Sequence, residues 1–280
     1  MLIRIWGARG STSVSGAEYV EYGGDTTCLE IVANSGDTII FDAGTGIRRL
    51  GAEAHRRGET DFHILFTHGH WDHLFGFPYF KPLYSSSTRL WLYGYRGKQG
   101  AVRSLISSLL SPPHFPVDYD NITARMDYQN GDGPEYRIGT ITLRSIPISH
   151  PGGGLGYRLT EGDKTMVFLT DNELGYGHPG CATYDEYLEF CQGADLLIHD
   201  AEFSPEEYGR VRSWGHSSYA DAVNLAVDAG VKRLCLWHHN HERSDGGVER
   251  IERESCDLAM GREGGELSCF AARQDMEISL

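Results

Sequence analysis

The segment Thr67-His-Gly-His-Trp-Asp-His73 sets three histidines and an aspartate almost side by side, directly after the apolar run Phe62 to Phe66. At an extended strand end, residues two apart project to the same side, so His68 and His70 can share one ion. Asp72 and His73 come next and are expected to begin a helix running through Leu74 to Phe80, whose turn re-aims two further donors toward the same place. Imidazole mixed with carboxylate suits Zn(II), Mn(II) or Fe, and the lack of cysteine donors argues against a purely structural zinc. Four unrelated polar residues in a loop are the alternative, which so dense a cluster disfavours.

Further candidates close other apolar runs. His150 follows Thr140 to Ser149, Asp171 follows Thr165 to Thr170, and His238 follows Leu234 to Trp237. Each is expected at the C-terminal edge of a strand, where α/β sheets tend to place binding groups. Taken singly, such a residue is more often a hydrogen-bonded structural group. Together with the first motif they give the candidate ligands His68, His70, Asp72, His73, His150, Asp171 and His238, with Asp72 also counted among the catalytic groups.

The rest of the chain keeps one rhythm. Strands are predicted at Thr27 to Val32, Thr38 to Phe41, Phe62 to Phe66, Leu90 to Tyr95, Thr140 to Ile148, Thr165 to Leu169, Leu196 to Ile198 and Leu234 to Trp237, with a strand-like start at Leu2 to Trp6. Helical periodicity appears at Tyr184 to Cys191, Ser217 to Ala229 and Gly247 to Met260, and Ser204-Pro-Glu-Glu carries a helix-start signature. Interleaving of this kind predicts an α/β or layered α+β class. No repeat or linker marks a boundary, so 1–280 is read as a single domain. One insertion, about 96–133, breaks the rhythm with a short helix, Ala101 to Leu110, and the proline-rich Ser111 to Val117. It is expected to cover the site.

Composition narrows the function. The formal charge of −14 argues against a broad nucleic-acid surface, because such binding neutralises many phosphates. A small or locally bound substrate is therefore expected, with one basic pocket inside an acidic whole left open. Six scattered cysteines lack any C-x-x-C pair and read as buried free thiols. No apolar stretch approaches the roughly 20 residues of a membrane span, and the start has no signal-peptide pattern. Cytoplasmic residence is the expectation, and a homodimer stays open.

The order of T-H-x-H-x-D-H, a later histidine, a strand-end T-D and a final histidine after an apolar strand resembles the metallo-β-lactamase superfamily. Phe41-Asp-Ala-Gly-Thr-Gly46 is similar to that family's early aspartate-glycine turn, which supports the metal site from behind. The resemblance spans about Leu2 to Asn240. It implies an αββα sandwich with a dinuclear site on one edge, His68, His70 and His150 holding one metal, Asp72, His73 and His238 the other, and Asp171 bridging. Of the adjacent His238 and His239, strand-end geometry favours His238, leaving His239 as a supporting or substrate-facing alternative.

A bridging aspartate is similar to the phosphoester and thioester hydrolases of the superfamily rather than to its lactamases. Leu196-Leu-Ile-His-Asp-Ala-Glu-Phe203, followed by Trp214-Gly-His-Ser-Ser218, resembles the ribonuclease Z-like phosphodiesterase branch, with Asp200 where that branch usually carries glutamate and Ser218 where it carries threonine. The resemblance makes Asp200 and His216 an acid–histidine pair at the scissile phosphate; read from the residues alone, Gly215-His-Ser is a helix cap, with Ser217 or Ser218 capping Tyr219 onward. The expected activity is hydrolysis of a small or cyclic phosphodiester by hydroxide bridging two divalent metal ions, preferentially Zn(II), with Mn(II) or Fe as alternatives. Alternatives are a thioester or lactone hydrolase and a non-hydrolytic di-iron redox or metal-binding protein. The glycines of His150-Pro-Gly-Gly-Gly-Leu-Gly156 offer amides to a phosphate, and Trp71, Phe77, Tyr79, Phe80 and Phe115 offer either base stacking or core.

Overall fold

Alternation of apolar residues sorts each central strand into two buried faces, and the computed structural model stacks two sheets accordingly. It describes residues 1–94, 102–113, 115–130, 135–262 and 267–280. The first sheet contains β1 (Leu2–Gly7), β2 (Cys28–Val32), β3 (Thr38–Phe41), β4 (Asp61–Leu65), β5 (Arg89–Gly94), β6 (Arg125–Asn130) and β14 (Glu277–Ser279), in the order β14-β1-β2-β3-β4-β5-β6. The second contains β7 (Tyr136–Ile138), β8 (Ile141–Pro147), β9 (Leu155–Glu161), β10 (Lys164–Leu169), β11 (Leu196–Asp200), β12 (Arg233–Trp237) and β13 (Ser268–Ala271), in the order β13-β12-β11-β10-β9-β8-β7.

Between the sheets, Ile3, Ile39, Phe41 and Leu65 meet Tyr157, Phe168, Ile198 and Trp237. On the outer side of the first sheet, Ile40, Phe62 and Ile64 pack under α1 (Ile47–Arg57), α3 (Val102–Leu109) and the aromatic segment Phe77 to Leu83. Outside the second sheet, Val167, Leu197, Leu234 and Leu236 are covered by α4 (Tyr184–Cys191), α6 (Tyr219–Asp228) and α7 (Asp245–Met260). The result is the expected αββα sandwich. Thr183 and Ser218 start α4 and α6, and Ser204 starts α5 (Pro205–Val211), each in a capping box, an arrangement worth about 1 kcal/mol per cap.

Two expectations change. The helix after the histidine motif is a single turn, α2 (Trp71–Leu74), followed by a 3₁₀ turn at Phe77–Tyr79 instead of continuing to Phe80. Pro78 cannot donate to a continuing helix, and Gly76 lies so close to Gly44 that a Cβ there would meet its carbonyl oxygen at 2.0 Å. The expected insertion, in its described part, supplies α3 and β6, and β6 pairs in parallel with β5, Leu90 opposite Met126. Residues 95–101, 114 and 131–134 of that segment, including Tyr95, Ala101 and His114, lie outside the described residues. Among the described residues, no helix is long and apolar enough to cross a membrane.

Candidate metal centre and active site

Among the described residues, six that are not glycine adopt left-handed backbone, and four of them, Ser11, Asp42, Asp171 and His238, sit at one edge of the sandwich. Each costs on the order of 1 kcal/mol. The shared conformation turns the chain sharply at the ends of β3, β10 and β12, so that a side chain following an apolar strand faces the edge instead of the core. His68 to His73 follow β4, and His150 follows β8. All seven sequence-predicted ligands converge there.

They form two groups whose donor atoms lie within 4.8 Å of one another: His68, His70, His150 and Asp171, and Asp72, His73, Asp171 and His238. In the first, His150 Nε2 stands 3.0 Å from His70 Nδ1, and Asp171 Oδ2 is 3.5 Å from His68 Nε2 and 3.8 Å from His150 Nε2. In the second, His73 Nε2 is 3.2 Å from both Asp72 Oδ2 and Asp171 Oδ1, and His238 Nε2 is 3.2 Å from Asp72 Oδ2. Asp171 belongs to both groups. Among the described residues, the buried His68 Nε2 and His73 Nε2 have no hydrogen-bond partner, a costly condition for imidazole nitrogens unless a cation completes them.

The far nitrogens are fixed by other residues, which sets the tautomers. His73 Nδ1 donates to Asp42 Oδ2 at 2.8 Å, and Asp42 also receives the Thr67 N–H and hydroxyl. His238 Nδ1 donates to Glu202 Oε2 at 2.9 Å, and His150 Nδ1 donates to the Gly215 carbonyl at 2.9 Å. In each case Nε2 is left facing the cluster, the orientation a metal requires. Burial pulls His150 down to about 3, keeping it a neutral donor. For His73, burial also opposes charge, but Asp171, Asp72 and Asp42 outweigh it and hold its pKa well above the ordinary imidazole range. The same carboxylates favour a divalent cation beside His73.

Beside these groups, His216 Nδ1 donates to Asp200 Oδ2 at 2.7 Å, and its ring stacks on His238 with centroids 4.5 Å apart. Burial lowers its pKa, yet Glu202 and Asp200 overcome this and push it up to about 9. The groups open onto a cavity of about 350 Å³ lined by Ser11, Gly69, His70, Trp71, Asp72, Asp171, His216 and His238. His239 turns away and donates from Nε2 to the Ala272 carbonyl at 2.8 Å, so His238 is the histidine in the cluster. Ser218 caps α6, while Ser217 donates to Asn172 O. Phe77 and Phe80 are core, whereas Trp71 is 75% exposed at the cavity. Of the Gly-rich loop, Leu155 N–H is already given to Thr67 O and Gly153 N–H to His150 O.

Sequence reasoning missed two contributors. Glu202 is buried, holds His238 and Asn240, and lies 3.4 Å from His216 Nδ1; the His-Asp-x-Glu alternation at the end of β11 was its available signal. Ser11, carried in by the turn after β1, donates its N–H to Asp72 Oδ2 at 2.9 Å. Nothing local in Arg9-Gly-Ser-Thr singles it out, since the contact joins segments that follow β1 and β4, with β2 and β3 between them in the sheet.

A family model described as Beta-lactamase superfamily domain matches residues 37–239. The chain belongs to the β-lactamase superfamily. It is a metallo-β-lactamase-fold hydrolase within that superfamily, with a His/Asp cluster suited to a dinuclear centre. A ribonuclease Z of Halobacterium salinarum is 25% identical, the match covering 88% of this chain and 89% of that one. Among solved structures, the metallo-β-lactamase fold protein YhfI from Bacillus subtilis has a TM-score of 0.71 at 17% identity, covering 99% of this chain and 98% of that one. Human tRNase Z, short form, has a TM-score of 0.65 at 18% identity, covering 100% and 99%. Zn(2+)-bound PqqB from Methylobacterium extorquens has a TM-score of 0.69 at 14% identity, covering 100% of both chains.

These superfamily relatives overturn the expected partner, a small-molecule phosphodiester with no extended nucleic-acid surface. Enzymes named ribonuclease Z act on RNA, a polymer, and the match runs along nearly the whole of both chains. The expectation failed because net charge sums over the entire surface, whereas a polyanion is held by local groups around the cleavage site.

Proposed function

We propose that this protein is a ribonuclease Z-type phosphodiesterase that hydrolyses RNA at a dinuclear metal centre. The observation carrying this reading is the convergence of the seven donors around Asp171 beside the Asp200–His216 pair, in a chain matched nearly end to end by ribonuclease Z. His68, His70 and His150 would hold one divalent ion, Asp72, His73 and His238 the other, with Asp171 shared between them. When bound, such ions supply an acidified water as nucleophile and positive charge for the phosphoryl oxygens, with zinc the favoured metal.

The chain's own residues supply the rest. Asp42, Glu202 and the Gly215 carbonyl hold the three imidazoles in the metal-facing tautomer. With Nδ1 committed to Asp200, His216 keeps its Nε2 proton for the leaving oxygen of the scissile bond, and its raised pKa keeps that proton in place at neutral pH. Asp200 and Glu202, both buried, stabilise the imidazolium. Trp71 offers a ring at the mouth on which a base can stack. A cytoplasmic location, where its unpaired cysteines stay reduced, belongs to the same proposal.

Incubation of the zinc-loaded protein with a 3′-extended tRNA precursor, beside single-stranded RNA, thioester and lactone substrates, tests this reading. Endonucleolytic cleavage of RNA is the expected result. Turnover of thioester or lactone with intact RNA would overturn it.

A further inference from the structure

Glu173 lies two residues beyond Asp171, is fully buried, and is used by none of the chemistry above. Its carboxylate is saturated. Oε1 accepts the Ser213 N–H and the Tyr208 hydroxyl, each at 2.7 Å, while Oε2 accepts the Gly215 N–H at 2.7 Å and His178 Nε2–H at 3.0 Å. Two of these donors are backbone amides of the short turn that immediately precedes His216.

That turn touches both halves of the site. Gly215 presents its carbonyl to His150 Nδ1, and it sits so tightly on that ring, at φ 101°, that a Cβ would lie 2.1 Å from Nδ1. The next residue is His216, whose ring centroid is 5.1 Å from that of His150. The neighbouring residues tie the same segments together, since Ser217 donates to Asn172 O and receives the Leu174 N–H. We propose that Glu173 is a positioning residue, which through the Ser213–Gly215 turn fixes the tautomer and direction of His150 and the placement of His216. The proposal rests on the reading of His150 as a metal ligand and of His216 as the proton donor.

The requirement is for a carboxylate rather than an amide. Each oxygen of Glu173 takes one backbone N–H, so a glutamine, whichever way its amide is turned, presents NH₂ to one of the two and leaves it without an acceptor. Glu173→Gln is nearly isosteric and tests the proposal. Asp195→Asn is the structural control, because Asp195 is also buried and accepts from Thr165 N and Lys232 Nζ, but at the start of β10, the end away from the site.

Three readouts are taken on the full-length protein: calorimetric titration of the metal-free protein with Zn(II), imidazole ¹⁵N spectra of the metal-free protein, and kcat and KM on RNA. Glu173→Gln is expected to weaken one of two zinc-binding steps by about tenfold or more, to lose the single Nδ1–H form of His150, and to lower kcat with KM little changed. Asp195→Asn is expected to lower the melting temperature only. A Glu173→Gln protein with wild-type zinc binding and His150 spectrum, differing only in melting temperature, overturns the proposal. Should that variant not fold, Glu173→Asp, which keeps the charge but is too short for both amides, carries the same expectations. If the wild type binds zinc yet leaves RNA intact, the functional reading fails while the zinc and spectral readouts still decide the role of Glu173.

Discussion

The two donor groups share Asp171 but are supported differently. Around Asp72, His73 and His238 everything is buried, and the far nitrogens of both histidines rest on carboxylates, Asp42 and Glu202. Around His68, His70 and His150, His70 is exposed, and the backing is neutral, a Thr67 hydroxyl behind His68 and a carbonyl behind His150. Carboxylate backing raises the basicity of a ligating imidazole, and a second carboxylate ligand adds charge. On the proposed reading, the buried group is the stronger cation site and the exposed one the more exchangeable.

Asp171 is the point at which this contrast can be broken outright. Asp171→Ala removes the one donor common to both groups and leaves five histidines and Asp72 with less compensating charge. Activity should fall by about a thousandfold or more, and bound metal by mass spectrometry should drop below that of any single-ligand variant of either group. Retention of two ions would show that the groups are independent. Next in size, His216→Ala should lower RNA turnover by about a hundredfold or more with metal content unchanged. Loss of metal in that variant would instead make His216 part of the ion-holding set, as its closeness to His238 permits.

The backing groups sharpen the comparison. Asp42→Asn and Glu202→Gln should each weaken the tighter zinc step by about ten- to a hundredfold and leave the weaker step almost untouched. Partial chelation should then give a one-zinc protein in the wild type but not in these variants. Equal losses from both steps would erase the distinction between buried and exposed groups.

What the sequence revealed and concealed follows the same division between strand ends and their surroundings. The ligands follow apolar runs, so their positions relative to strands could be read directly, and at Asp171 and His238 the left-handed turn that aims the side chain favours aspartate and histidine. Glu202 escaped because its value depends on β11 and β12 pairing in parallel, Asp200 opposite Trp237, which brings it to His238. β9 was masked by the preceding glycines, and α1 because Gly51 and Ala54 make its buried face small. The expected size of the substrate was the largest miss. It depends on where charges lie around the cavity, which a whole-chain sum of −14 does not record.

The smallest expected effect concerns the Asp200–His216 pair. His216 is pushed up to about 9, so its protonated form prevails at neutral pH and is lost as pH rises through that value. If the charged ring donates the proton to the leaving oxygen, kcat should fall along an alkaline limb. Asp200→Asn removes one of the two carboxylates that raise the ring's pKa and keeps the side-chain shape, so the limb should move to lower pH by about one unit, with Glu202 still resisting a larger shift. At pH 6, where both proteins carry the proton, their rates should differ by only a fewfold. A limb that stays in place would assign the alkaline loss to another group and leave Asp200 with orientation alone, whereas a shift matched by Glu202→Gln would divide the stabilisation of the imidazolium evenly between the two acids.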